Sequence, residues 1–461
     1  MPEIKANLTE KDKRYRDLAL NGNLWKVTLQ VGLPLALYQS LMMAFKLIDN
    51  AIAAHIDAGA VSTVAIIQQI TMVISALGGG LAIGTTMKVS EAYGAGKLKL
   101  VKQRVSSVYA LCAGIGILTL FICIPCSELI LKLSGTPDEL IVEGNNFFRV
   151  ELFGTVLNFF NYVYLSIERA RGNVKRILVI NIVTSLIKLS FNAGFVYLLN
   201  GGVVTIAFAT VISQAVFLVF ALINMRGRDN AFGFSFSAIK FDRATAGITL
   251  IKSIPVIIEK MVFSAGKVIV NGMSAAYKDN TVGALSVSNN ICGISAGASG
   301  GFQEAGVALI SQNRGAGNKF RAIEVFKKIF VINIIIGAIY FGLTMWQLDF
   351  ISSLFAGGNE RFRLLIKSVY GYESFAAIAL GINAASLALL YGFGLTKLSL
   401  LVNVSRVFIF RIPLLWFLQN FTDLGSESVG VVMLVSNLGV GILSAIVALI
   451  VVRKIIKNKI F

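Results

Sequence analysis

The stretch 25–52, WKVTLQVGLPLALYQSLMMAFKLIDNAI, decides how the rest of the chain is read. Only Lys26, Lys46 and Asp49 are charged in it. A helix needs about 20 such residues to cross a hydrocarbon core roughly 30 Å thick, and this run is longer. The charged segment 1–24 ahead of it has no small-residue cleavage site, so the run reads as a retained helix and not a signal peptide. Eleven further apolar stretches follow, making twelve in all: roughly 25–52, 61–87, 105–125, 143–166, 177–199, 202–224, 246–274, 282–310, 329–347, 364–390, 398–418 and 428–452.

The composition points the same way. Hydrophobic residues make up 56% of the 461 and charged residues 14%, with a mean hydropathy of +0.76. Soluble domains carry about 25% charged residues, so this chain lacks the polar surface to cover itself in water. A cytosolic enzyme, a disordered chain and a disulfide scaffold are excluded, and an all-α integral membrane protein remains.

The net charge of +18 would suggest nucleic acid in a soluble protein. Its distribution argues otherwise. With both termini inside, 28 Lys and Arg fall in the inner segments and four (Lys132, Lys278, Arg361, Arg363) in the outer loops. That bias predicts an N-in, C-in topology in the cell membrane and leaves no basic patch for nucleic acid. Trp25, Trp346 and Trp416 fall near span ends, where interfacial anchors belong. Cys123 and Cys126 have CxxC spacing but no strand–helix context for redox chemistry, so they read as small packing residues.

Shifted by 221 residues, the chain aligns with itself without a gap from Pro34 to Gly96, and 14 of 63 positions match. Pro34 falls on Pro255, Lys46 on Lys267, Asn50 on Asn271, Gly79-Gly80 on Gly300-Gly301, and Gly94-Ala95-Gly96 on Gly315-Ala316-Gly317. A shift of 222 later pairs Gly172 with Gly394 and Asn181 with Asn403. Six spans separate equivalent points, so the expected architecture is a parallel 6+6 repeat, two six-helix lobes with a substrate path between them. The expected divisions are an inner N-terminal segment 1–24, an N-lobe 25–224, a linker 225–245, a C-lobe 246–452 and a basic inner tail 453–461.

The order and duplication of several motifs resemble the multidrug and toxic compound extrusion (MATE) family, within the wider multidrug/oligosaccharidyl-lipid/polysaccharide exporter superfamily. The motifs are Pro34 followed by Leu47-Ile48-Asp49-Asn50, the Ser90…Gly94-Ala95-Gly96 turn with its repeat Ser311-Gln312…Gly315-Ala316-Gly317-Asn318, Arg169-Ala170-Arg171-Gly172-Asn173, and Gly202…Ala207…Ala209-Thr210…Ser213-Gln214. The resemblance spans nearly the whole chain. It implies two lobes rocking about a central cavity and efflux driven by entry of H⁺ or Na⁺. The superfamily also contains flippases of lipid-linked oligosaccharides. No phosphate loop is visible, since Leu98 follows Lys97 in Gly94–Lys97, so no ATPase is expected.

Ionisable side chains inside a span are costly and default to function. The resemblance implicates Asp49 in cation coupling, with Asn50 beside it. Low dielectric would raise its pKa toward neutrality, while Lys46, one turn earlier, could instead hold it as a static ion pair. On the fifth span Lys188 stands where family members commonly have Asn, and Asn192 where many carry Asp. Cation coupling is therefore assigned to Asp49, Asn50 and Asn192 in the first lobe.

Gln39, Lys46 and Asn50 share one helix face, repeated in the seventh span by Lys260, Lys267 and Asn271. These read as cavity residues, with snorkelling to the interface as the alternative for each lysine. Lys188, Glu259, Glu304 and Arg406 complete the candidate cavity; Glu304 could equally cap a neighbouring helix. Pro34 and Pro255 are expected to bend their helices. His55 reads as an interfacial residue.

Seven bases against five acids lie deep in the spans. This basic balance favours anionic or zwitterionic substrates over the organic cations typical of the family. The expected protein is thus a secondary exporter of small amphiphilic compounds. The alternative is a flippase of a phosphate-bearing lipid-linked precursor. No catalytic set, metal site, cofactor or obligatory protein partner is indicated, and the chain reads as a monomer whose partners are the bilayer and a small solute.

Overall fold

The computed structural model describes residues 6–54, 58–134, 136, 138–199, 201–226, 229–277 and 280–458, without the side chains at 46, 47, 49–54, 58–63, 65 and 138–140. Among these residues every regular element is helical, apart from a single bridge between Asn7 and Asn230. A chain that must satisfy its backbone polar groups inside lipid has helices or closed barrels as its options.

All twelve apolar stretches are helical. In chain order they are α2 (Leu24–Ala54), α3 (Ala58–Gly94), α4 (Leu98–Cys123), α6 (Asp138–Ala170), α7 (Val174–Ala193), α8 (Val203–Asn224), α9 (Ile248–Ala275), α10 (Thr281–Gly315), α11 (Lys319–Trp346), α13 (Glu360–Ser374) with α14 (Ala377–Gly392), α15 (Thr396–Ser405) with α16 (Ile412–Phe421), and α17 (Ser428–Ile456). Nine spans meet membrane length and hydropathy criteria directly, and α13 with α14, bent by 46°, makes a tenth. The other two, α9 and α10, are long enough but less apolar. Lys252, Glu259, Lys260 and Lys267 lie in α9, and glycine, serine and asparagine are frequent in α10.

Several helices outrun the apolar stretches. α3 continues to Gly94 and α11 starts at Lys319 because helix needs no apolarity once it leaves the lipid. Three short helices were not visible as spans: α1 (Glu10–Asn21), α5 (Ser127–Leu133) and α12 (Leu348–Ala356).

The duplicated glycines explain four helix ends. Gly96, Gly172, Gly317 and Gly394 all have φ between +71° and +81°. After each of α3 and α10, a reverse pair of bonds closes the turn: Lys97 N–H donates to Ala92 O, and Asn318 N–H to Asn313 O. This left-handed closure suits glycine and strains a residue with a Cβ. The repeat therefore preserves a backbone conformation, here seen at both ends of the 221-residue shift.

Contacts divide the chain into two compact units. The first comprises Met1–Asn21 and Ala44–Met261, the second Gly22–Met43 and Val262–Phe461. In the first, Phe147, Phe148 and Leu152 of α6 pack with Ile67 of α3 and with Val203, Ile206 and Ala207 of α8. In the second, α14 is sheathed by α10, α11 and α17. Val270 of α9 packs with Leu415 of α16 and Val429, Val432 and Met433 of α17.

Each unit also holds half a helix from the other repeat. In the first, a Cβ on Gly80 of α3 would lie 2.7 Å from the backbone N of Ile257 in α9. In the second, a Cβ on Gly301 of α10 would lie 2.2 Å from the backbone N of Ala36 in α2. Gly80 maps to Gly301 and Ala36 to Ile257 under the same 221-residue shift, so these are one joint built twice. Both need glycine because the two backbones touch.

Candidate functional site

The most concentrated polar arrangement in the second unit centres on Asn437 of α17. Its amide oxygen accepts from Arg406 through both Nε (3.1 Å) and Nη2, and from Arg411 Nη2 at 3.1 Å. Its amide nitrogen donates to Glu373 Oε1 at 3.3 Å, and Ser288 Oγ donates to the other oxygen of Glu373. Arg411 Nε also donates to Ser436 Oγ at 3.2 Å. On the other side, Arg406 and Lys267 both lie over the Phe263 ring, 5.0 and 5.1 Å from its centroid.

Local backbone chemistry brings the arginines together. Five residues apart on an α-helix, they would point about 140° apart at 100° per residue. Residues Arg406–Arg411 instead form a π-turn between α15 and α16. Pro413 follows at once; it has no N–H to give and its ring crowds the carbonyl of Ile409. The wider i→i+5 turn sets both guanidiniums on one side. Gly266 of α9 lets this turn approach, since a Cβ there would meet Val407 Cγ1 at 2.3 Å.

Among the described residues Arg406 and Arg411 share one nearby carboxylate, Glu373, and the neutral Asn437 stands between it and the arginines. Among the described residues no carboxylate is within ion-pair distance of either guanidinium. Arginine stays charged in proteins, so the positive charge cannot be removed by deprotonation.

A second polar cluster lies in the first unit, where α1 meets the turn between α6 and α7. Thr9 and Asp12 form a capping box at the start of α1: Asp12 N–H donates to Thr9 Oγ1 at 3.2 Å, and Thr9 Oγ1 donates to Asp12 Oδ2 at 2.6 Å. Asp12 then receives a two-pronged bond from Arg171, Nε and Nη2 both at 3.0 Å. Arg171 Nη1 reaches Glu168 at 3.2 Å, and Asn173 Nδ2 holds the second Glu168 oxygen at 2.7 Å. Burial works against the Arg171 charge, but the Glu168 and Asp12 carboxylates outweigh it and hold its pKa above the usual arginine value. Arg16 donates to the carbonyls of Tyr93 and Gly94, at 3.0 and 2.9 Å, closing α1 onto the end of α3.

Of the residues singled out in the sequence, Arg406 and Lys267 come together at Phe263. Asn271 is half-buried on α9, and Glu304 half-buried on α10. Gln39 of α2 lies against Gly297, whose Cβ would sit 3.2 Å from the Gln39 carbonyl. In the first unit Lys260 lays its stem over Gly79, where a Cβ would be 3.6 Å from Cδ. Glu259 and Asn192 are buried, at 6% and 1% exposure, and Lys188 is half-buried. Pro34 and Pro255 sit inside continuous helices. The side chains of Lys46, Asp49 and Asn50, and His55 entirely, lie outside the described residues.

Arg411, Asn437, Glu373 and Phe263 belong to the second-unit cluster without having been predicted for it. Arg411 and Glu373 carried a signal as charges inside spans. Asn437 and Phe263 carried none.

Long apolar helices that carry charge within their spans, packed in two compact units, are those of a multi-pass membrane protein. Residues 34–193 and 255–417 each match the family MatE, and the chain belongs to that family. It is similar to a Bacillus subtilis protein named "probable multidrug resistance protein YoeA", 22% identical over 87% of this chain and 88% of that one. It is also similar to "probable multidrug resistance protein YpnP" of the same organism, 24% identical over 65% and 67%. Among solved structures, an outward-facing multidrug resistance MATE family transporter of the MOP superfamily superposes with a TM-score of 0.90 at 18% identity, over 97% of this chain and 99% of that one. A MOP superfamily transporter from Pyrococcus furiosus, whose binding pocket is described as of reverse polarity, superposes equally well, with a TM-score of 0.90 at 17% identity over 97% and 99%.

Proposed function

We propose that the protein is a secondary active exporter that extrudes small amphiphilic organic compounds in exchange for H⁺ or Na⁺, by alternating access. One observation carries the reading: the close joint made twice, Gly80 on Ile257 and Gly301 on Ala36. A helix whose two halves pack with different repeats can transmit a movement of either repeat to the other. Glycine contacts make that joint tight without side-chain interdigitation, so it can open and close. The names of the Bacillus subtilis relatives support export as the direction.

Asp49 is the coupling carboxylate in this reading, with Asn50 and Asn192 as its polar neighbours along the first lobe. Gln39, Lys46, Lys188, Glu259, Lys260, Lys267, Asn271, Glu304 and Arg406 supply the substrate path, which a basic balance tunes to anionic or zwitterionic solutes. The chain acts as a monomer with both termini inside, and needs no cofactor beyond the coupling ion.

The test is transport by purified protein in proteoliposomes under an imposed pH or Na⁺ gradient, with a matched organic anion and cation. Asp49→Asn is expected to reduce gradient-driven transport at least about tenfold, some 1.4 kcal/mol of barrier. Lys260→Met with Lys267→Met is expected to abolish movement of the anion. Gradient-driven transport unchanged in Asp49→Asn would remove that residue from coupling. The arginine pair would also suit the phosphate of a lipid-linked precursor, so scrambling of a headgroup-labelled lipid without solute transport would shift the reading to a flippase.

A further inference from the structure

We propose that Arg406 and Arg411 form a binding site for an oxyanion, a carboxylate or phosphate group, in the second unit. The inference deepens the reading of this chain as a transporter by naming the group that its substrate would present there. It rests on that reading only for its physiological meaning.

Two guanidiniums converge on the single neutral oxygen of Asn437. Arg411 is 2% exposed, and Arg406 lies over an aromatic face. Holding two like charges side by side at this depth costs several kcal/mol unless an opposite charge joins them. Among the described residues no carboxylate pairs with them directly. Asn437 presents its oxygen to the arginines and its nitrogen to Glu373, so that carboxylate is kept a residue away. Both of its oxygens already accept bonds, from Ser288 and Asn437.

A guanidinium fork pairs with planar carboxylate or tetrahedral phosphate through two parallel N–H bonds. Two forks on one side of a π-turn suit one oxyanion shared between them. Lys267 lies over the same Phe263 ring. Phe263 supplies an apolar face next to that charge, which fits an amphiphilic ligand better than a bare inorganic ion.

Asn437 offers the sharpest variant. Asn437→Asp with Glu373→Gln keeps the shapes, reverses the amide–carboxylate bond between the two side chains and puts the carboxylate between the two arginines. It would complete the charge from within, so it is expected to stabilise the fold and to close the site. A residue whose role is structural alone would show the first effect without the second.

The experiment is equilibrium binding to the purified full chain in detergent, with no gradient. Octyl phosphate is titrated below its micellar concentration, with octyltrimethylammonium as the cation of the same tail. The wild type is expected to bind octyl phosphate saturably, in competition with inorganic phosphate, and to bind the cation at least about tenfold more weakly. Arg406→Gln and Arg411→Gln are each expected to weaken octyl phosphate binding at least about tenfold. Asn437→Asp with Glu373→Gln is expected to abolish it while raising the thermal midpoint, which keeps the test valid if an arginine variant fails to fold.

Equal affinity for the two head groups, or octyl phosphate binding undiminished in the folded Asn437→Asp, Glu373→Gln variant, would overturn the proposal. Repeating the titration in nanodiscs of phosphatidylcholine, with and without phosphatidylglycerol, separates the sources. Displacement by the anionic lipid identifies a lipid phosphate as occupant, and undiminished binding identifies a soluble solute; both outcomes keep the site. Loss of gradient-driven transport with binding intact would count against antiport and leave the oxyanion site standing.

Discussion

Arg171→Met is expected to release α1 from its unit and to lower stability by about 3–5 kcal/mol, the cost of removing one partner from a buried charge cluster. Asp12 and Glu168 are 2% and 1% exposed, and Arg171 bonds to both. Without it two carboxylates are left close together away from water. Asn173 and Arg176 still reach Glu168, the latter at 3.6 Å, but among the described residues nothing else that bonds Asp12 is charged. The measurement is the thermal midpoint in detergent together with limited trypsin cleavage, whose sites Lys11, Lys13, Arg14 and Arg16 lie in α1. A midpoint close to wild type with an unchanged cleavage pattern would show that the cluster does not hold the helix. Neutralising all three partners, Asp12→Asn with Glu168→Gln and Arg171→Gln, should recover much of the loss, because the main cost is the orphaned charge and not the missing attraction.

The second large effect contrasts two adjacent glycines. Gly301→Ala would place a methyl 2.2 Å from the Ala36 nitrogen and 2.4 Å from its Cα, backbone atoms that cannot step aside. Overpacking of this kind costs about 1–3 kcal/mol, and at a backbone-to-backbone joint the whole helix must move. Gly300→Ala meets nothing within 4 Å, so it is expected to be neutral or to gain up to about 1 kcal/mol of helix propensity. Gly80→Ala, the equivalent of Gly301→Ala in the first unit, should behave like it, since Ile257 backbone atoms lie 2.7 and 2.9 Å from its Cβ. Thermal midpoints of the three variants and their transport rates in proteoliposomes test the joint. Equal behaviour of the Gly300 and Gly301 variants would show that α2 and α10 do not meet backbone to backbone and would remove the support for a joint built twice.

The sequence already held the reason for these glycines, but in coded form. The 221-residue shift matched Gly79-Gly80 to Gly300-Gly301 without saying why two of the four are needed and two are not. Only the position of the neighbouring backbone separates Gly301 from Gly300. The turn glycines were more legible. Gly94-Ala95-Gly96 and its repeat read as tight helix ends, and Gly96 and Gly317 have φ of +72° and +81°. A C-terminal cap is a local structure, set by a few consecutive residues, so a short motif can announce it.

The candidate site was legible in kind and not in membership. In-span charge pointed to Arg406 and Lys267, because charge in an apolar run is conspicuous wherever the helix lies. Arg411 is an in-span charge as well, but a regular α-helix would set it about 140° from Arg406. The π-turn ahead of Pro413 cancels that separation, and a pattern of 3.6 residues cannot register it. Asn437 and Phe263 are ordinary residues of ordinary spans, and α17 and α9 acquire their roles by packing against the turn. Helix α1 went unread because it is short and polar, and its anchor Arg171 lies some 160 residues away in the chain.

The sequence by itself determined that this is a helical membrane protein with twelve apolar stretches, an internal repeat and a positive balance of charge at depth. Hydropathy, repetition and charge are additive along a chain, so they survive without coordinates. Tertiary structure alone decided which charges meet, which glycines carry a backbone contact, and that half of α2 and half of α9 each pack with the other repeat. Those are relations between residues far apart in the chain, and they exist only once the helices have approached to within a side chain's reach.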